Sequence, residues 1–200
     1  MPITINGTGT LTGVSVGGLP DGIVDTDMLA ANAVSSAKLA SGAGGKLLQV
    51  VQDSKTDTAS QSVDSGGVWN LSDPIASITP SSASNKILVQ ATVMVGINVD
   101  SHGPAMTVLK DDALMFAGNA DGNMQRTTVQ TFHHTQYRAC FLHFNYLDTA
   151  GGTSAIQYKI RLSHDSGANQ TMYLNRTVAT DNLDDRHRGA SNIILMEIAA

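Results

Sequence analysis

Six histidines and seventeen carboxylates are the side chains of this chain that could do chemistry, and their spacing decides which kinds are open. His133 and His134 are adjacent, so on a strand they point to opposite faces and do not share one ion. His143 falls in a predicted strand, and His102, His164 and His187 in predicted loops. No pair shows the two-residue or four-residue spacing of a zinc site, although a threefold axis would gather three copies of any one histidine. The acidic stretch Asp181-Asn182-Leu183-Asp184-Asp185 offers oxygens to calcium. It lacks the alternating spacing of a calcium loop, and Arg186 and Arg188 compete as partners, so a solvated loop with local ion pairs is expected.

Other chemistries fail on single positions. Gly44-Gly45-Lys46 ends like a phosphate loop, yet Ala40 stands where the first glycine belongs and Leu47 where a hydroxyl must reach magnesium. There is no Gly-x-Ser-x-Gly elbow for a serine nucleophile. No two acids stand apart as the pair that cleaves a glycoside. Trp69, the single tryptophan, fits a core or an interface better than a sugar platform. The lone Cys140 lies in an apolar run and reads as a small buried hydrophobe. The chain is expected to act by binding, with no catalytic residue, metal or cofactor.

Composition narrows what it binds. Apolar residues make up 42%, enough for a packed core, while aromatics at 4% are too few for a surface that stacks sugars or bases. The net charge of −5, with lysines and arginines scattered, removes the electrostatic drive toward nucleic acid. Met1 to Gly7 has neither the basic region nor the apolar core of a secretory signal, and no apolar run approaches the ~20 residues of a membrane span. A protein assembled in a cytoplasm, without membrane insertion, is expected.

The elements that would position a binding site lie beyond residue 45. Lys86 to Ile97 alternates, with Ile87, Val89, Ala91, Val93, Val95 and Ile97 on one face, and Ala155 to Leu162 alternates in the same way. Lys46 to Gln52, Arg138 to Leu147 and Asn192 to Ile198 are apolar on both faces, as central strands or subunit-contact strands would be. Shorter strands are predicted at Ile75 to Thr79, Met106 to Leu109, Leu114 to Phe116 and Met172 to Leu174. Turns are predicted at Asp73-Pro74, Pro80 to Asn85, His102-Gly103-Pro104, Asp121-Gly122-Asn123 and Gly151-Gly152. Many short strands without helical crossovers predict a mainly β protein, an antiparallel β-sandwich of jelly-roll type over residues 46–200.

Ahead of that domain, residues 1–22 are rich in glycine around β-prone pieces and read as an attachment arm. Residues 23–45 carry a pattern repeated ten residues apart and a glycine-rich hinge. Val24-Asp25-Thr26-Asp27-Met28-Leu29-Ala30 is echoed by Val34-Ser35-Ser36-Ala37-Lys38-Leu39-Ala40. So short a repeat cannot enclose its own Val24, Leu29, Val34 and Leu39, which makes these the predicted contacts of a homotrimeric stalk. The alternative is an echo inside one amphipathic helix between Asp27 and Ala40.

Three blocks of sequence resemble the fibre and appendage proteins of tailed-bacteriophage virions, especially those of phages that infect cyanobacteria and other aquatic bacteria. The first runs from Gly17-Gly18-Leu19-Pro20-Asp21-Gly22 to Ala40-Ser41-Gly42. The second is Leu47 to Gln52 with Lys55-Thr56-Asp57, Ile78 to Ser82 and Ser84 to Val89. The third is Tyr173-Leu174-Asn175-Arg176 with Arg188 to Ile198. The resemblance implies a homotrimer on the virion, attached to other virion proteins through its arm. It implies either a short tail fibre that contacts a host-surface glycan or a protein that decorates the capsid; a glycan-cleaving appendage is a third class. The stretch from Asp100 to Tyr137 matches none of the blocks. Its polar set, His102, Asp121, Asn123, Arg126, His133 and Tyr137, is the predicted contact to a receptor or a neighbouring subunit.

Overall fold

The computed structural model describes Thr4–Ile5, Leu11–Thr12, Val34, residues 46–132, Thr135, residues 138–179, Asp184 and residues 186–200. The chain divides into two compact units, Met1–Gly45 and Lys46–Ala200. In the first, β1 (Thr4–Ile5) pairs antiparallel with β2 (Leu11–Thr12). Val34 is exposed. Val24, Leu29, Leu39 and the rest of the predicted stalk or helix lie outside the described residues.

The second unit is all β among its described residues, an antiparallel sandwich. One sheet has β3 (Leu47–Lys55), β13 (Ser191–Ile198), β6 (Lys86–Ile97), β12 (Gln170–Leu174) and β4 (Ala59–Val63) in that order, with β10 (Cys140–Thr149) on the other edge of β6. The second sheet runs β5 (Trp69–Ile78), β11 (Ile156–His164), β7 (Pro104–Lys110) and β8 (Ala113–Met115), with β9 (Val129–Gln130) also on β7. The period-two pattern predicted for Lys86 to Ile97 matches β6. Its inward residues Ile87, Val89, Ala91, Val93 and Val95 join Tyr158, Ile160, Leu162, Ile193 and Leu195 in one core between the sheets. Trp69 is part of that core. Cys140 is half-buried, donates to Val95 O, and burial pushes its thiol up to about 11.

β6 is longer than any strand beside it and shares one edge between two of them. β12 covers Val95 to Ile97 and β13 covers Lys86 to Thr92. At the splice Met94 is served by other groups: Asn175 N donates to Met94 O at 2.9 Å, and Met94 N donates to Ser191 Oγ at 3.2 Å. Ser191 Oγ donates in turn to Asn175 Oδ1 at 2.6 Å, while Asn175 Nδ2 reaches Lys55 O and Asp57 O, just beyond the end of β3. Asn175 is fully buried and holds φ +60, a left-handed conformation that asparagine accepts more readily than most residues.

Two carboxylates tie one sheet to the other, and a third ties the larger sheet to the loop between β5 and β6. Asp53 on β3 accepts from Ile75 N on β5 at 2.7 Å. Asp148 on β10 takes the Tyr158 hydroxyl at 2.8 Å and the Lys110 ammonium at 2.7 Å. Glu197 on β13 accepts from Asn85 Nδ2, Gln49 Nε2, Ser81 N and Ser81 Oγ, all within 2.8 Å. Burial alone would push the Glu197 carboxyl up; the donors outweigh it and hold it down at about 2.

Two expectations are corrected. Asp73-Pro74, predicted as a turn, lies inside β5 as a cis peptide, opposite a register shift in β11 between Lys159 and Arg161. The shift lets a proline sit where a regular ladder would need its missing N–H. His164, placed in a loop, is the buried last residue of β11.

Replacing Asn175 by Ala removes two donations and the residue best suited to its backbone angle. The domain should lose about 1–3 kcal/mol in urea denaturation; an unchanged midpoint would show that the splice carries no stability. Glu197 gives a pH dependence of known sign. Its folded value lies below the usual 4.5, so its contribution is complete above about 4.5 and is lost as pH falls toward about 2. Stability measured across that window should fall, and fall less steeply in Glu197→Gln.

Candidate functional site

Asp165, the residue after β11, organises the loops that carry the predicted contact set. Its Oδ1 accepts from Gly103 N at 2.7 Å and from His102 Nδ1 at 3.2 Å, and its Oδ2 accepts from Gln130 Nε2 at 2.8 Å. Gly103 is the only residue type that fits there, because a side chain would run into the carbonyl of Thr131. One carboxylate thus fastens the start of β7 and the end of β9 to the end of β11.

Beside it opens a half-open cavity of about 350 Å³, walled by Met124, Gln125, Thr127, Gln130, Asp165 and Ser166. His164 also borders it. The Val63 carbonyl can only accept, so His164 Nε2 donates to it at 3.0 Å, which leaves Nδ1 buried with no hydrogen-bond partner. No hydroxyl therefore meets either ring nitrogen.

The predicted set is only partly brought together. His102 sits on Asp165. Arg126 Nε donates to Gly118 O at 2.6 Å and closes the loop on which exposed Asp121 and Asn123 form a turn around Gly122. The anchors of His102 and Arg126 are separate. His133 and Tyr137 lie outside the described residues. Asp165 and Gln130 were not singled out in the sequence, where nothing marks a lone aspartate at a strand end as a hub. Among the described residues no three His, Cys, Asp or Glu side chains gather as a metal site.

A second surface is the outer face of the larger sheet. Register aligns Val50, Met196, Leu88 and Leu147 in one row across β3, β13, β6 and β10. Gln52, Ile194, Gln90 and Asn145 form the next row, and Ser54, Asn192, Thr92 and His143 the one after. Gln90 Nε2 donates to Asn145 Oδ1 at 2.9 Å, and Thr92 Oγ1 lies 3.1 Å from His143 Nδ1. Val50 is 53% exposed and Leu147 51%, so the apolar row is open to water along both outer strands. No acid or arginine lies in these rows; Lys86, bonded to Thr149, lies in the row beyond Leu88 at one end. Three of the four strands, β3, β10 and β13, are those predicted to be apolar on both faces, and β6 is the one predicted to alternate.

With both surfaces described, comparison with known proteins gives the following. No family model matches the chain. No curated protein matches it either. Among solved structures, the chain is similar to a protein in the structure of infectious bursal disease virus, Gx strain, at 15% identity and a TM-score of 0.41, over 76% of this chain and 37% of that one. A protein of T=1 particles derived from infectious bursal virus gives 14% identity and a TM-score of 0.41, over 76% and 36%. The VP2 subviral particle of infectious bursal disease virus gives 14% identity and a TM-score of 0.36, over 75% and 39%. The chain spans well under half the length of each of these proteins.

Asp165→Ala should free the loops it fastens. Hydrogen exchange at the Gly103 amide should speed up by about tenfold or more, in keeping with loss of a charge-assisted hydrogen bond, while amides in β6 stay protected. Unchanged exchange at Gly103 would show that Asp165 is not the anchor.

Proposed function

We propose that this chain is a homotrimeric structural protein of a phage virion, displayed on the particle and acting by binding rather than by catalysis. The observation that carries the proposal is the open, uncharged outer face of the larger sheet. Its four strands and five residues of length give a face of about 19 by 17 Å. A face with no acid and no arginine meets a second copy without like-charge repulsion, and its row of amides offers donors and acceptors to itself. The three sequence blocks support the phage assignment. Two of them, Leu47 to Gln52 and Arg188 to Ile198, supply strands of this face.

In this proposal the chain is a short tail fibre or adhesin. Its self-contacts join the sheet face to the stalk residues Val24, Leu29, Val34 and Leu39. The arm of residues 1–22 attaches the trimer to other virion proteins, and loops of the β-domain meet a host-surface glycan. Capsid decoration is the second form of the same proposal, favoured by the division into a small N-terminal unit and one β-domain.

Sedimentation of the full chain tests the assembly. The wild type should run as a trimer at micromolar concentration. Val50→Lys with Leu147→Lys, at two exposed positions, should place charge within the contact, shifting the protein toward monomer while its β signal in circular dichroism persists. A wild-type monomer, or a variant as trimeric as the wild type, would contradict the proposal.

A further inference from the structure

The open rows of the larger sheet hold one histidine, the residue type whose charge changes between about pH 5 and pH 8. His143 stands on β10 at the end of the row Ser54, Asn192, Thr92 and His143, and it is exposed. Phe141 stacks beside it, with ring centroids 6.1 Å apart and planes inclined by 17°. Thr92 Oγ1 lies 3.1 Å from its Nδ1, and a hydroxyl donates to a bare ring nitrogen or accepts from a protonated one. The bond within the chain therefore survives in both charge states. The difference between the neutral ring and the cation is felt by whatever lies against the face.

The strands around the ring offer it no counter-charge. It borders a hollow of about 350 Å³ lined by Gln90, Thr92, Asn145, Asn192 and Ile194, and no other residue in that wall is titratable. The four strands of the face contain three acids, all aligned with core residues and engaged on the inner side. Asp53 accepts from Ile75 N, Asp148 from Tyr158 and Lys110, and Glu197 from Asn85, Gln49 and Ser81. β9, which also approaches β10, brings only Val129 and Gln130. Toward the ends of the face stand basic groups: Lys86 in the row beyond Leu88, and Arg138, His187 and Arg188 around a hollow that Phe141 lines.

We infer that His143 makes assembly through this face sensitive to pH, the copies separating as the ring takes up a proton. This rests on the face being a contact between copies, as proposed above, and adds how that contact is regulated. A neutral imidazole lies against amides and aliphatic side chains and hydrogen-bonds across the contact. An imidazolium buried there gives up its hydration, and the strands supply no acid in exchange. Separate copies, whose rings face water, bind the proton more readily than the assembly does. By linkage, association is strongest above the range in which histidines titrate and weakens as pH falls through it. A contact that set the histidine against an acid would respond with the opposite sign. The contribution of Glu197 to stability is complete above about 4.5, so its loss does not overlap this range.

Sedimentation equilibrium of the full chain at about pH 8 and about pH 5.5 tests the switch, with circular dichroism to verify the fold at both. The wild type should associate more weakly at the lower pH, its dissociation constant rising by about tenfold or more. His143→Gln keeps an amide beside Thr92 without a titrating group and should associate alike at both. His143→Lys is charged throughout and should already be weakened at the higher pH. His102→Gln, at a histidine held by Asp165, should keep the full response. A wild type that is monomeric at the higher pH overturns the contact proposed above and the switch with it. A wild type that associates equally at both values overturns the switch alone. So does a His143→Gln protein as pH-sensitive as the wild type, a His143→Lys protein that assembles as tightly, or a response lost in His102→Gln.

Discussion

The structure depends on how one long strand is shared. β6 has twelve residues, and on one edge neither of its neighbours reaches along all of them. A gap of this kind in a sheet would leave backbone groups at Met94 buried and unpaired, each worth about 1–3 kcal/mol. Asn175 and Ser191 close the gap by placing a side-chain amide, a hydroxyl and a left-handed backbone where a ladder cannot continue. Both β12 and β13 can then align on β6. β13 in turn carries β3, which widens the sheet and forms the uncharged outer face. At the same point Gly189 lies directly on Met94, where a side chain would collide with its Sδ. The uncharged outer face thus follows from one local solution to a hydrogen-bonding problem.

Carboxylates do a different job in the two halves of the domain. Asp53 and Asp148 lie along strands and join sheet to sheet, and Glu197 joins its strand to the loop between β5 and β6; partial burial strengthens each donation they accept. Asp165 lies past a strand end and joins loops. Each of the four accepts at least two donors from the fold. Their roles are mechanical, and the outer rows of the larger sheet present amides and aliphatic side chains.

What could be read from the sequence was what depends on side-chain alternation. β6 and β11 announced themselves through period two, and the strands apolar on both faces, β3, β10 and β13, proved to share one sheet whose outer rows are open. What could not be read depends on backbone pairing or on distant partners. β4, Ala-Ser-Gln-Ser-Val, has almost no apolar signal because it is held by the ladder to β12. The first half of β5 was hidden by Pro74, a residue that normally ends strands but here sits at a bulge. Asp165 gathers groups from 35 to 63 residues away, and Arg138 meets Arg188 only through the strands that follow them. Turn propensity and spacing carry no record of such meetings.

The central claim is that this is a virion surface protein assembled through the outer face of its larger sheet. Electron cryomicroscopy of purified virions carrying this chain is the most direct measurement. The account predicts threefold density on the outside of the particle, with Val50, Leu88, Leu147 and Met196 buried between copies. A particle that lacks the protein, or one in which that face points to solvent in every copy, would contradict it.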